Sequence, residues 1–231
     1  MPMNEPGNLP DGAPVARRTL LGMLGLGATG LVTAPYLQSG WEGLLAKASQ
    51  NDPTGLAGLL PNPAGFRYYS VVGSVPRKGE NDYTLKIGGL VNRPRTYTLA
   101  DLRALPQARV VRDVRCTDGW RVEKVPFEGV RLSDLLEDSG VGASGRALSF
   151  DCFDGAYTES LTLEQARRSD VLVALRMQDA PITHEHGGPV RLYVAPMYFY
   201  KSAKWLSGIS VTERVVPGYW EQRGYDVDGW L

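Results

Sequence analysis

Glycine and proline interrupt this chain throughout, with 27 glycines and 16 prolines among 231 residues. Together they make up close to a fifth of the chain, against a usual share of roughly 12%. Glycine weakens a helix and proline removes a backbone donor and clashes inside one. A coiled coil or a simple helix bundle is therefore excluded, and a fold of short elements joined by many turns is expected. Hydrophobic residues are 43% of the chain, enough for one sizeable core. Acidic and basic residues balance at 25 each, so nothing in the charge suggests a nucleic-acid partner. Two cysteines cannot build a disulfide scaffold, and two histidines leave little material for a histidine-rich metal site.

The amino terminus has its own pattern. Residues 1–16 are polar and rich in Pro, Gly and Asn; Arg17 and Arg18 follow, and no further charge occurs until Glu42. The run LLGMLGLGATGLVTA is apolar but diluted by Gly22, Gly25, Gly27 and Gly30, which makes it a mediocre membrane span. Paired arginines ahead of a weakly apolar segment have the design of an export signal and resemble the twin-arginine type. Residues 1–36 are accordingly expected to be a twin-arginine signal or a membrane anchor. A buried glycine-rich helix opening the domain is the competing reading. Val32-Thr33-Ala34 precedes Pro35, a poor cleavage junction, and Ala46-Lys47-Ala48 lies far downstream. An uncleaved segment holding the protein to the membrane thus stays open. A periplasmic or otherwise extracytoplasmic location follows from the export reading. Residues 37–65 read as a linker.

From residue 66 to 231 the pattern is one domain of short strands and helices. Tyr83 to Ile87 alternates as a half-buried strand does. Thr98 to Leu105 reads as a helix capped by Thr98 with Asp101 three residues on and stopped by Pro106, and Thr162 to Arg168 repeats that capping-box spacing with Gln165. Leu132 to Glu137 reads as one or two helical turns ended near Gly140. Strands are expected over Val110 to Cys116, Ala147 to Phe153, Val171 to Met177, Pro189 to Val194 and Ile209 to Val215. The sum is a strand-rich α+β domain whose long loops carry the function.

Three segments bear chemistry. Cys116 in VRCTDGW ends an expected strand at a loop mouth, where a thiolate suits a soft metal or a redox centre. A buried small hydrophobe, or a disulfide to Cys152, would also account for it. His184 and His186 in THEHGGPVR stand two apart and could share a metal, or simply belong to a polar loop before a strand. Tyr198 to Trp205 reads YFYKSAKW, in which Lys201 and Lys204, with backbone N–H groups around Ser202 and Ala203, could meet a phosphate. Solvated lysines on an amphipathic loop are the plainer account.

RCTDGW, VPFEGVRLSDLL, HGGPVRLYVAP and YKSAKWLSGI occur in this order, and in order and spacing they resemble the molybdopterin domain of the sulfite oxidase superfamily from about Phe66 to Tyr225. The likeness is greatest to bacterial, twin-arginine-exported members of the periplasmic methionine sulfoxide reductase type. The resemblance implies a sulfite-oxidase-type fold, a molybdenum-molybdopterin cofactor and oxygen-atom transfer on a small-molecule substrate. It implies that Cys116 ligates molybdenum and that Tyr68, Tyr69 and Ser70 touch the pterin. His186 and Arg191 would line the cofactor pocket, Lys201 and Arg191 would help meet its phosphate, and Ser202, Ala203 and Lys204 would hold that phosphate. Cys152 would lie near the pterin, and Tyr157 beside the reacting oxygen. His186 stands where the similar members have Asn, and Cys152 where they have a cofactor-contacting Thr. Arg121 matches one anion-pocket arginine of the sulfite-oxidising members, but Val71 takes the place of the other. S-oxide reduction is therefore expected, with sulfite oxidation, or a cofactor-free secreted binding module lacking a use for Cys116, as alternatives. The resemblance implies no haem domain before this one and no dimerisation domain after it. Electrons are then expected to pass through a separate protein, a membrane haem protein or a soluble cytochrome.

Overall fold

A computed structural model describes Phe66 and residues 69–231. The expected signal or anchor, the linker and Tyr68 lie outside the described residues. Among the described residues ten strands run in chain order: β1 Thr84–Gly89, β2 Arg95–Thr98, β3 Ala108–Arg115, β4 Arg121–Arg131, β5 Ala147–Cys152, β6 Thr158–Thr162, β7 Val171–Met177, β8 Ala180–Pro181, β9 Arg191–Val194 and β10 Leu206–Thr212. Three short α-helices intervene among these residues: α1 Leu99–Ala104, α2 Leu132–Ser139 and α3 Leu163–Ala166. One sheet has the order β2-β1-β10-β5-β6, with β1 and β10 parallel. The other is β3-β4-β7, and the far edge of β7 is shared by β8 at one end and β9 at the other. The expected strand-rich α+β architecture is the one observed.

Local chemistry explains most element ends. Thr98 and Thr162 each accept a bond from the N3 backbone N–H while Asp101 and Gln165 reach back, so both expected capping boxes form. α2 has no side-chain cap; it ends at Gly140, whose φ of 67 lets its N–H reach Leu136 and Glu137. Its apolar face buries Leu132, Leu135 and Leu136, each contributing roughly 1.5–3 kcal/mol.

β7 matches its expected bounds, and its burial explains its composition. Val171, Val173 and Leu175 pack into the larger core with Leu192 and Val194 of β9. Leu172, Ala174 and Met177 face a second core with Phe127, Tyr193 and Phe66. A strand covered on both faces reads as an apolar run instead of an alternation.

β2, β4, β6 and β8 are not among the strands expected from the sequence, and β10 is displaced from its expected bounds. β4 was not foreseen because Pro126 and Gly129 break the pattern of a strand interior. It forms because β3 pairs with one edge and β7 with the other, with a register shift at Glu128/Gly129. β10 begins at Leu206, three residues before the expected Ile209, because pairing to β5 extends past a bulge at Leu206/Gly208. Among the described residues no helix is long and apolar enough to cross a membrane.

Candidate active site

The second core opens onto a cavity of ≈ 270 Å³, just under the roughly 300–1,000 Å³ usual for ligand pockets. Its walls come from loops at the ends of several strands. The β3–β4 turn supplies Cys116 and Trp120, closed by Cys116 N–H to Trp120 O at 3.1 Å. The segment before β1 supplies Tyr69, Ser70 and Val71. The β5–β6 loop brings Asp154 and Tyr157, and the loop before β9 brings Glu185 and His186. The stretch between β9 and β10 adds Phe199, Ser202, Lys204 and Trp205.

The GGP turn has the close approach that its glycines suggested. Gly187 has φ +95, and a Cβ there would lie 2.5 Å from Cβ of Lys204. Trp205 is fastened to the same loop through its indole N–H to His184 O at 2.8 Å. This pairing sets Lys204 and His186 on adjoining walls.

Arg191 is the central cation. It is only 2% exposed, and it donates to His186 O at 2.7 Å and Ser202 O at 2.5 Å. Burial pulls its pKa down to about 9. Lys204 donates to the carbonyl of Tyr69. Burial, and then the Arg191 charge, bring its pKa down to about 7. Neither forms an ion pair among the described residues. Two adjoining, partly desolvated cations, with Asp154 near Lys204 but no direct ion pair to either, leave room for an anion. Burial and the same two charges push the His186 imidazole down to about 4, so it is neutral at ordinary pH and presents one N–H.

Cys116 is a free, half-buried thiol, with Sγ 3.6 Å from Asp118 Oδ2. Burial raises its pKa. Cys152 is also free, and it is buried in β5 outside the cavity lining. The two cysteines form no disulfide. Among the described residues no group of three or more His, Cys, Asp or Glu could hold a metal ion. A metal at Cys116 must therefore bring most of its donors with it. One thiolate, two cations awaiting an anion and flat aromatic walls fit a metal carried by an anionic, sulfur-donating pterin.

Other expected site residues stand elsewhere. Lys201 is fully buried in an ion pair with Glu159 at 2.7 Å and Glu221, outside the cavity lining. The sequence placed no acidic neighbour near it; a desolvated ammonium requires one, and the fold brings in two. Arg121 lies on the exposed β3–β4 hairpin, bound to Asp113 at 2.6 Å and Glu123 at 3.2 Å, and is also outside the lining. Ala203 packs in the larger core. Ser202 gives its N–H to Phe199 O at 3.0 Å and accepts Val194 N–H on Oγ at 2.9 Å. Tyr157 lines the cavity, but its hydroxyl donates to Tyr200 O at 2.5 Å. Trp220 and Tyr225 reach the cavity from the segment after β10, where no strand or helix pattern had singled them out.

A model of the oxidoreductase molybdopterin binding domain matches residues 72–220. An uncharacterized oxidoreductase of Bacillus subtilis, YuiH, is 33% identical over 187 residues, covering 79% of this chain and 92% of its own. The protein-methionine-sulfoxide reductase catalytic subunit MsrP of Ralstonia nicotianae is 26% identical over 241 residues, covering 88% of this chain and 71% of its own. Among solved structures, the sulfane dehydrogenase SoxCD of Paracoccus pantotrophus shares the fold at a TM-score of 0.58 and 21% identity, over 68% of this chain and 50% of that one.

Proposed function

This chain belongs to the molybdopterin-binding oxidoreductases of the sulfite oxidase superfamily, and from that premise we propose that it is exported and reduces a neutral S-oxide. It is a molybdenum oxidoreductase with a molybdenum-molybdopterin cofactor, which sets aside the cofactor-free binding module. The resemblance to MsrP supports the direction of the reaction. The observation that carries the choice of a neutral substrate is the placement of the anion-binding positions. Val71, which by the resemblance takes the place of one anion-pocket arginine, lines the cavity, and Arg121, which matches the other, is engaged by Asp113 and Glu123 on the outer hairpin. An oxyanion such as sulfite would lack both cationic partners there.

The bound group supplies the two-electron exchange at its metal. Cys116 would be the protein's ligand to that metal, and Arg191 and Lys204 would hold the anionic end of the pterin. Tyr69 and Ser70 would lie against it, and neutral His186 would donate one hydrogen bond. Ser202 holds Arg191 through its carbonyl, and Ala203 ties Leu192 of β9 through its own at 2.9 Å, so both act by positioning. Cys152 and Tyr68 keep the near-pterin roles that the resemblance implies. Reduction of an S-oxide to a thioether and water consumes two protons and two electrons. Tyr157 has a single hydroxyl proton, so it can donate to the substrate oxygen only by releasing Tyr200 O.

The electrons would come from a separate membrane haem protein or soluble cytochrome. Residues 1–36 would direct export to the periplasm or stay as an anchor, 37–65 would be the linker and 66–231 the catalytic domain. The test is turnover by the metal-loaded protein, with an artificial donor or acceptor, on a panel of S-oxides, N-oxides and sulfite. Reduction of uncharged S-oxides is expected. Efficient sulfite oxidation with no S-oxide turned over would replace this reading with its rival.

A further inference from the structure

Three aromatic side chains that no regular element carries meet at the cavity wall. Trp220 lies 5.8 Å from Tyr69 and 5.0 Å from Tyr225, centroid to centroid, with interplanar angles of 42° and 39°. All three line the cavity together with Val71. Tyr69 is 57% exposed, so this part of the wall faces the entrance.

The segment that bears Trp220 and Tyr225 is anchored at several points. Glu221, next to Trp220, accepts Ser160 Oγ–H at 2.9 Å, the Gly218 N–H and the buried Lys201 ammonium. Tyr219 N–H bonds Thr158 O at 2.9 Å. Gly218 lies against β6 so closely that a Cβ would come within 2.6 Å of Thr158 O. The Arg223 guanidinium covers the Tyr219 ring at 3.6 Å, and Tyr225 N–H returns to Trp220 O at 3.1 Å. The collar is thus fixed to β6, the strand that directly follows Tyr157. A wall held in advance loses little freedom when a ligand enters.

We propose that residues 217–225 form the specificity wall of this enzyme, with Trp220 and Tyr225 taking an uncharged, apolar substituent of the substrate while its oxide faces the reacting centre. The aromatic faces suit a flat or thioether-bearing group, since sulfur and rings both make favourable ring contacts. This rests on the S-oxide reading above and deepens it. Trp220 is here a specificity residue distinct from the groups that would hold the cofactor.

The test measures calorimetric binding of two unreduced analogues, methyl phenyl sulfone and dimethyl sulfone, to the loaded enzyme, beside its pterin content. Wild type should favour the phenyl compound at least tenfold. Trp220→Ala should bring that ratio down about tenfold, a change of roughly 1.4 kcal/mol, with pterin content unchanged, and Trp220→Phe should keep most of it. An unchanged ratio, binding of neither sulfone to wild type, or loss of pterin in Trp220→Ala would overturn the proposal; the last would assign the collar to the cofactor. If the ratio behaves as stated but no S-oxide is reduced, the collar stands and the reaction is misread. If S-oxides are reduced with an unchanged ratio, the reaction stands and the collar fails. Should Trp220→Ala not fold, Tyr225→Leu carries the same comparison.

Discussion

Lys201→Met deletes one ammonium and keeps the apolar stem that fills the same space. Lys201 is 0% exposed and binds Glu159, Glu221 and the carbonyl of Val227 at 2.9 Å. With the ammonium present, the cluster is neutral when one carboxylate is ionised and the other keeps its proton. Burial pushes Glu159 up to about 8, which makes it the protonated member. Burial acts in the same sense on Glu221, but bonds from Glu159, Lys201 and Gly218 outweigh it and hold that carboxylate below its usual range. Without Lys201 two carboxylates remain buried together. Removing one partner of a buried pair costs about 3–5 kcal/mol. At about 2–4 °C per kcal/mol for a domain of this size, the melting temperature should fall by roughly 6–20 °C. The sign of the pH effect follows from Glu159. Its folded pKa lies above the unfolded value, so the folded state keeps a proton that the unfolded chain releases. The stability this contributes is present at low pH and declines as pH rises towards about 8. In the variant Glu221 also loses its cation and is pushed upward, which steepens that decline. Thermal melts followed by circular dichroism at pH 5.5 and 8 should therefore show a wider gap to wild type at pH 8. A gap within about 2 °C at pH 8, less than 1 kcal/mol, or one independent of pH would refute the charged-cluster argument.

Cys116→Ala should cost only about 1 kcal/mol of stability yet abolish activity and alter the paramagnetic signal of the metal; Cys152→Ala should retain most activity, measured in the same assays. Lysine at both Arg17 and Arg18 should leave the protein in the cytoplasm, checked by cell fractionation, because a receptor that reads guanidinium pairs does not accept ammonium groups as equivalents. Val71→Arg should raise sulfite affinity about tenfold or more, at roughly 1.5–3 kcal/mol per charge-assisted bond, while weakening turnover of a neutral S-oxide; unchanged sulfite inhibition would count against Val71 as the anion position. Tyr157→Phe removes the 2.5 Å bond to Tyr200 O and should lower both thermal stability, by about 1–3 kcal/mol, and S-oxide turnover; full turnover would place Tyr157 outside the chemistry.

The sequence by itself determined the features that depend on neighbours a few residues apart. Thr98 with Asp101 and Thr162 with Gln165 form their capping boxes because three residues span one helical turn. The apolar run from Val171 to Met177 is a strand because it is covered on both faces. The loop mouth at Cys116 and the two glycines before Pro189 were legible for the same reason: a short stretch of chain suffices to turn a backbone or to present a thiol. Tertiary structure alone decided which charges meet. Lys201 and Lys204 sit three residues apart in one motif, yet Lys201 is claimed by carboxylates 42 and 20 positions away and Lys204 by the cavity wall. Arg121 is turned outward by Asp113 across a hairpin, although its distance from Cys116 in sequence suggested the opposite. β4 runs through Pro126 and Gly129 because two neighbouring strands bind its edges, which outweighs local propensity. Trp220 and Tyr225 reach the site because their segment is anchored to β6 and to the buried Lys201, both distant in sequence. Local pattern specifies backbone geometry, whereas the pairing of buried charges and the closure of a cavity wall depend on which distant residues folding brings out of water together.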